Sequence, residues 1–455
     1  MAMALNPEAM RDLFEERVFR EEGACRVEKC ELLQSRYKPG VSCLFSYALT
    51  VRNPRTETVT QRLFSVRAYE SGTSYSRYCK ALTQPLVEVA GTEAITHLPE
   101  QEMVVWAFPN DRKLRGLPAL ATPDEGIGIA VQAAFGPAWK IDRASSELVH
   151  YVAEHTCTLR VRLRLLHRES RQERQATLYG KTYYNDEGAE AFENMMRLWN
   201  GAARRAGRLR LAQPVCYQPE ARILWQLGID GAPLIDYEGE ANAFPALLEK
   251  AAQCVAELHR MALPALRSHT RADRIERIRD SVQRIACAAP GLAERSRQIA
   301  RALIAGAPME GATAGNATLH GDLHLKNFLV DGEEVALIDL DNLHQGDPMA
   351  EVGSFIAGLY YRALITGRPM AAAEALADHF TRAYRRHWGA DFSMAALAWE
   401  IAASLVSERA ARCITRLKPG GLEALPSLLD LADQLARRGV ARAEKSFAPA
   451  GDLRR

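Results

Sequence analysis

The chain has 455 residues, 47% of them apolar and 25% charged, so it is long enough for several cores, and its composition excludes a disordered, collagen-like or low-complexity protein. Its 58 basic and 56 acidic side chains leave a formal charge of +2, which excludes the strong field of a non-specific nucleic-acid or anionic-membrane binder. The nine cysteines are scattered without a CxxC pair and read as free thiols of a reducing compartment; with no run of about eighteen apolar residues, a soluble cytoplasmic protein without nucleic-acid or membrane partners is expected.

Residues 1–20 place Leu13, Phe14, Val18 and Phe19 on one side of an amphipathic helix. From Cys25 the pattern turns β-like through CRVEKCELLQ, SCLFSYALTV and RLFSVRAY, followed by a helix over 74–82 and the strand EMVVWAF. A second β-rich unit opens near Trp139 and repeats the first. Residues 37–44 line up with 151–158, 63–66 with 178–181 and 104–106 with 223–225, at an offset that grows along the chain as loops lengthen. This alignment sets Val66 opposite Lys181. The strand TLRVRLRLL alternates aliphatics with Arg160, Arg162 and Arg164, giving one face to a core and the other to water. The return strand ATLYGKTYY leads to a helix over 187–201, an arginine-rich loop over 204–210 and the strand RILWQLGID. Beyond Leu234 the chain reads as helices over 243–261, 272–286, 292–305, 370–388, 394–416 and 422–438.

One β-rich island interrupts that helical half: His320 to Gly353, HGDLHLKNFLVDGEEVALIDLDNLHQGDPMAEVG. Clustered carboxylates repel unless a cation or proton holds them together, so the cluster points to a bound metal. Asp322, Asn327 and Asp339 fall in the order of a kinase catalytic loop. There an Asp accepts the acceptor's proton, an Asn five residues later binds metal, and an Asp after an apolar strand holds the metal on the phosphates.

The two motifs HGDLHLKNFL and IDLDNLHQGDPMAE resemble the aminoglycoside phosphotransferase and choline kinase family, whose signature is HGDxHxxNxL followed by IDxDxxxxGDPxxD. Glu351 stands where the family has its last Asp. The resemblance covers about residues 138–455. It implies an α+β, two-lobed protein-kinase-like fold, ATP or GTP with Mg2+, and a small-molecule hydroxyl acceptor such as a sugar, amino sugar or amino alcohol. The expected organisation is an extra N-lobe-like cap over 1–137, a nucleotide-binding N-lobe over 138–228 and a helical C-lobe over 229–455. The family's phosphate-binding lysine maps to Lys181, with Glu193 or Glu190 as its partner, and the adenine hinge to Gln226, Leu227 and Gly228. Asp322 is then the catalytic base, with Asn327 and Asp339 the metal ligands.

In the same frame His259 and His320 are expected to be structural, Asp341 a strand-end polar residue, Asp347 a turn or cap, and Glu351 a helix cap or arginine partner. Trp399, Glu400 and Glu408 are candidate acceptor walls. The repeated lobe suggests a cap, a homodimer surface or a regulatory site; maltokinase-like relatives carry a comparable cap, which adds oligosaccharides to the acceptors. Two other classes compete. A non-catalytic nucleotide-binding module would lack the chemical residues that are all present here. A metal-dependent hydrolase would cage zinc with His320, Asp322, His324, Asp339, Asp341 and His344, and would need neither Asn327 nor Lys181.

Overall fold

A computed structural model describes residues 3–446 apart from 20–24, 39–40, 123, 241, 264–265, 309–316, 390–391 and 417–419. The described residues form two compact units, one within 1–192, 214–228 and 415–418, the other within 193–213, 229–414 and 419–455.

The first unit begins with α1 (Pro7–Arg17), which Asn6 caps by accepting the N–H groups of Glu8 and Ala9, with Pro7 preset at the first helical position. Met10, Leu13 and Phe14 of α1 pack on an antiparallel sheet of β1 (Arg26–Lys38), β2 (Ser42–Arg52), β3 (Val59–Tyr69), β4 (Ile95–Leu98) and β5 (Met103–Ala107), with α2 (Ser74–Leu82) between β3 and β4. Next come α3 (Leu117–Ala121) and α4 (Asp124–Phe135), then β6 (Trp139–Val152), β7 (Thr156–His167) and β8 (Glu173–Tyr183). After α5 (Glu187–Trp199), α6 (Ala202–Arg205) and β9 (Arg210–Leu211), the strands β10 (Pro214–Gln218) and β11 (Ile223–Leu227) complete a second antiparallel sheet. The expected boundary between 137 and 138 falls between α4 and β6, inside this first unit.

The two sheets share one topology. Their orders are β1-β2-β3-β5-β4 and β6-β7-β8-β11-β10, and the first strand of each carries two bulges. The short strands β4 and β10, and both α3 and α4, lie outside the elements read from sequence. The register also corrects the expected alignment by one residue. Core faces match when Phe64 and Val66, which pack on α1, are set against Leu178 and Gly180; Leu178 packs on α3 and α4, and a Cβ on Gly180 would sit 2.7 Å from Leu120 of α3. Arg67, opposite Leu44 and Val104, then corresponds to Lys181, opposite Thr158 and Leu224. A slip of one residue exchanges the two faces of a strand, so Val66 belongs to the core position and the first sheet also carries a cation at the outward one.

That cation is committed. Arg67 donates to Glu154 at 2.5 Å and to Ser42 at 2.8 Å, and Arg112 donates through Nε to the same carboxylate at 2.6 Å. Glu154 is 5% exposed and has φ of 60°; Asp111 accepts its N–H at 2.9 Å and the Tyr151 hydroxyl at 2.7 Å. Burial alone would raise the Glu154 pKa, but Arg112 and Arg67 outweigh it and hold the carboxyl below its usual range.

The second unit carries two small sheets among helices. After β12 (Ala232–Pro233) come α7 (Phe244–His259), α8 (Arg271–Ala288) and α9 (Ala293–Ala305), then β13 (Ala317–Leu319), β14 (Phe328–Asp331), β15 (Glu334–Leu337) and β16 (His344–Gly346). The sheets are β12-β14-β15-β9 and β13-β16, so the β-rich island expected over 320–353 is present as far as Gly346, and its end from Pro348 is helical instead. Then follow α10 (Pro348–Thr366), α11 (Met370–Trp388), α12 (Met394–Ser404), a π-helical segment Leu405–Ala410, α13 (Ala411–Thr415) and α14 (Gly421–Ser446). Because α10 is apolar nearly all round its middle turns, it gives no clean amphipathic signal and was not among the expected helices. No helix among the described residues is long and apolar enough to cross a membrane.

Replacing Glu154 by Gln leaves two guanidinium groups around one neutral amide in a largely buried site. Loss of one partner of a buried ion pair costs about 3 kcal/mol or more. Urea unfolding of the variant is therefore expected to show a stability loss of that order, whereas Glu57→Gln, at an exposed surface pair, changes it by less than about 1 kcal/mol.

Candidate active site

The loop at Gly321 is shaped by its backbone. Gly321 has φ of 88°, and a Cβ there would sit 2.2 Å from the carbonyl oxygen of Asn342, so only glycine fits between β13 and the turn after β15. The preceding His320 is fully buried, with its Nε2 2.8 Å from the Ile338 carbonyl and its Nδ1 accepting the Asp322 N–H at 3.4 Å. It holds the loop, as expected for a structural histidine.

Glu351, on the first turn of α10, lies 6% exposed beneath the same loop. Its Oε2 accepts the His320 N–H at 2.9 Å and its Oε1 the Gly321 N–H at 2.7 Å. His259, at the end of α7, meets Oε2 at 2.9 Å and the Tyr384 hydroxyl at 2.8 Å, so it is fully partnered, as anticipated. Burial would raise the Glu351 pKa, but the His259 hydrogen bond and charge, the His320 ring and the His320 N–H outweigh it and bring it down to about 2. Neither a helix cap nor an arginine pair, the expected roles, describes Glu351; it braces the loop. Asp347 is the cap of α10, accepting the Met349 N–H at 2.8 Å, with Arg271 at 3.4 Å.

Asp322 is 44% exposed at its side chain, with Arg412 at 3.6 Å and His324 at 4.0 Å. Asn327 is buried and donates from Nδ2 to the Asp322 carbonyl at 2.9 Å, which leaves its Oδ1 as the side-chain atom available to accept. The Asn327 carbonyl accepts the Ile338 N–H at 3.0 Å, tying it to the residue before Asp339, which itself takes the left-handed conformation at φ 60°. Asp322 and Asn327 are thus joined in one loop, with Asp339 next to the residue that bonds to Asn327, and all three carry hard oxygen donors of the kind magnesium takes. Asp341 sits in the short turn Leu340–Asn342 that follows. The zinc cage is not built: the His320 ring is used by the loop backbone, His344 Nδ1 by the Asn342 carbonyl, and no three His, Cys, Asp or Glu side chains among the described residues gather as a metal cluster.

In the first unit Lys181 lies on β8 with its ammonium 5.8 Å from the Tyr183 ring centre, and Gln226 pairs with Tyr179 across β11 and β8. The Gly228 N–H donates to the Thr177 carbonyl at 2.8 Å, so that hinge amide is engaged in the sheet. Glu193 belongs to the second unit and lies 3.8 Å from Arg197, one turn along α5.

A cavity of about 690 Å³ in the second unit opens on Asp322. Glu400 and Glu408, two of the candidate acceptor walls, are among the residues that line it. Trp399 instead is buried, donates to the Leu303 carbonyl and lies under Arg271 at 4.5 Å. What the sequence reading missed is the arginine side of this cavity, Arg271, Arg274 and Arg277 of α8 with Arg412. The signal was present: three arginines at intervals of three on one helix.

Residues 178–399, just under half of the chain, match the model of the phosphotransferase enzyme family. That segment belongs to the phosphotransferase family. Solved structures similar to the chain include an aminoglycoside phosphotransferase from Streptomyces rimosus (17% identity, 63% of this chain and 98% of that one, TM-score 0.39). A choline kinase from Cryptosporidium parvum matches at 11% identity over 71% of this chain and 96% of that one, TM-score 0.44. A choline/ethanolamine kinase family protein from Mesorhizobium loti matches at 16% identity over 72% and 95%, TM-score 0.40. No curated protein sequence matches the chain. The phosphotransferase segment runs from β8, which carries Lys181, through the loop cluster to α12, and the α+β division into a β-rich part followed by a helical part is as read from the sequence.

Glu351 has a folded pKa below its ordinary 4.5, so its ionised form stabilises the fold above that value, and this contribution fades as pH falls toward about 2. Glu351→Gln should cost about 3 kcal/mol at pH 7. In urea titrations at stepped pH, the gap between wild type and variant should narrow below about pH 4.5; a gap independent of pH would contradict the ionised brace.

Proposed function

We propose that this phosphotransferase moves the γ-phosphoryl group of a nucleoside triphosphate, ATP or GTP, to a hydroxyl of a small molecule. The observation that carries the reading is the loop cluster in which Glu351 and His320 fix the backbone around Asp322 while Asn327 bonds to the Asp322 carbonyl. Phosphoryl transfer depends on in-line positioning more than on unusual side chains, and a fixed backbone supplies it.

Asp322 accepts the acceptor's hydroxyl proton as its oxygen attacks phosphorus. Its exposure toward the cavity gives the hydroxyl access, and Arg412 at 3.6 Å keeps the carboxylate oriented. Asn327 Oδ1 and Asp339 would hold Mg2+, which when bound neutralises charge on the phosphate oxygens. Lys181 is assigned to the nucleotide phosphates and the strand end from Gln226 to the base, on the family resemblance and the position of Lys181 on β8. The first sheet is read as a nucleotide-free relative of the second, because Arg67, its outward cation, is bound by Glu154. A cytoplasmic location fits the free cysteines.

Asp322→Asn should lower kcat by roughly 10²–10⁴-fold with little change in nucleotide affinity. Lys181→Met should instead weaken nucleotide binding measured by calorimetry. Full turnover in Asp322→Asn with the acceptor that wild type uses would remove Asp322 from the base role.

A further inference from the structure

The cavity beside Asp322 is surrounded by charge, and the two signs are not used alike. Four carboxylates besides Asp322 line it, and each already has partners. Glu351 takes the two loop amides and His259. Asp347 takes the Met349 N–H and Arg271. Glu400 accepts from Arg274 Nε at 3.1 Å, and Glu408 accepts from Arg274 Nη1 at 2.6 Å and from the Ser354 hydroxyl at 2.7 Å. Burial would raise the Glu408 pKa, yet Arg274 and Arg409 bring it down to about 2, as expected of a carboxylate locked in an ion pair.

The cations are less fully engaged. Arg277 lines the cavity, is exposed, and makes its one side-chain hydrogen bond among the described residues to His269 Nδ1 at 2.9 Å, with no carboxylate partner there. That histidine is neutral at pH 7: burial, then the facing His344, push its pKa down to about 4. Arg271 Nη1 is buried 3.5 Å from Glu400 and makes no hydrogen bond among the described residues. Its Nη2 bonds to Asp347 at 3.4 Å, so Arg271 contributes positive charge from the cavity wall beside Arg277.

A polycationic acceptor entering this cavity would meet one lining carboxylate that accepts no side-chain hydrogen bond among the described residues, Asp322, and that group is already assigned to proton transfer. Its ammonium groups would face Arg277 and Arg271 instead, a repulsive arrangement. We infer that the acceptor carries an anionic group, a carboxylate or a phosphate, held by Arg277 with the charge of Arg271 beside it while its hydroxyl lies at Asp322. This rests on the phosphotransfer reading for the hydroxyl, but the anion site stands on the cavity alone. It narrows the acceptors from sugars, amino sugars and amino alcohols to hydroxylated acids and phosphate esters.

The test uses compounds matched in skeleton and differing in charge: gluconate and glucose 6-phosphate, glucose and sorbitol, glucosamine. Each is assayed for phosphoryl transfer with ATP and magnesium, and inorganic phosphate and gluconate are titrated calorimetrically onto nucleotide-free protein. The anionic compounds should be preferred in kcat/KM, and Arg277→Gln should cut that preference roughly tenfold, mainly through KM, as loss of a charge-assisted hydrogen bond predicts. Arg277→Lys, which keeps the charge, should retain part of the preference. Preference for glucosamine or for the neutral compounds overturns the inference, as does a preference that Arg277→Gln leaves unchanged. Absence of transfer to every compound counts against the kinase reading; the anion site then stands if Arg277→Gln weakens phosphate or gluconate binding, and falls if neither anion binds wild type.

Discussion

Two backbone amides turned inward, those of His320 and Gly321, need an acceptor that water does not supply, and Glu351 is that acceptor. Ionised carboxylates accept such bonds more strongly than neutral groups, so Glu351 holds the loop more firmly than a carbonyl would. Keeping it ionised in the interior requires polar partners, and His259 supplies a further hydrogen bond from α7, with Tyr384 of α11 fixing the other ring nitrogen. Side chains from α7 and α11 and the loop after β13 therefore converge on one carboxylate of α10, and the position of Asp322 follows from it. The longer side chain of glutamate, where the family pattern has aspartate, reaches both amides and the imidazole from the first turn of α10.

The two sheets of the first unit show how one scaffold separates two fates. Strand order, bulges and core faces agree between them, and each carries a cation at the same ladder position, Arg67 in one and Lys181 in the other. Arg67 sits in a network of Glu154, Arg112 and Ser42 that satisfies it on several sides. An arginine's planar fork suits such multidentate pairing, whereas a lysine presents a compact charge able to meet a phosphate. The residue type at this position is thus consistent with its assigned role in each sheet.

How much of this was legible in the sequence follows the range of the interactions. The catalytic-loop spacing is local, so Asp322, Asn327 and Asp339 could be picked out from HGDLHLKNFL and the aspartate after VALI, and the structure gathers them. Strands of the sheets were legible from alternation, but their cross-alignment slipped by one residue because Val66 and Lys181 share a strand context while lying on opposite faces. Only the ladder and the position of α1, α3 and α4 reveal the face. Glu351 could not be assigned because its partners lie at positions 259, 320 and 321, joined by tertiary packing. The helix α10 escaped because a helix buried all round has no polar stripe. Arginines at intervals of three on a helix cannot be told from an ordinary solvated face in the sequence, and it is the carboxylates of α12 and the π-helical segment that make those of α8 a cavity wall.

That segment explains why one arginine can meet so many partners. Arg274 bonds to Glu400, Ser404 and Glu408, residues spaced by four along one helical stretch. In a regular α-helix a step of four residues overshoots a full turn, since 3.6 residues complete it, so the third side chain in such a series rotates well away from the first. A π-helical segment turns less per residue, and the one at Leu405–Ala410 brings Glu408 back toward the line of Glu400 and Ser404. Arg412, one step further, then falls on the same side and faces Asp322 at 3.6 Å. The widened turn also frees backbone groups, and Ser281 from α8 meets one of them by donating to the Val406 carbonyl at 2.6 Å. Helix geometry, not residue type alone, therefore sets the charge pattern of the cavity: it gathers Glu400 and Glu408 on Arg274, while Arg277 has no carboxylate partner among the described residues.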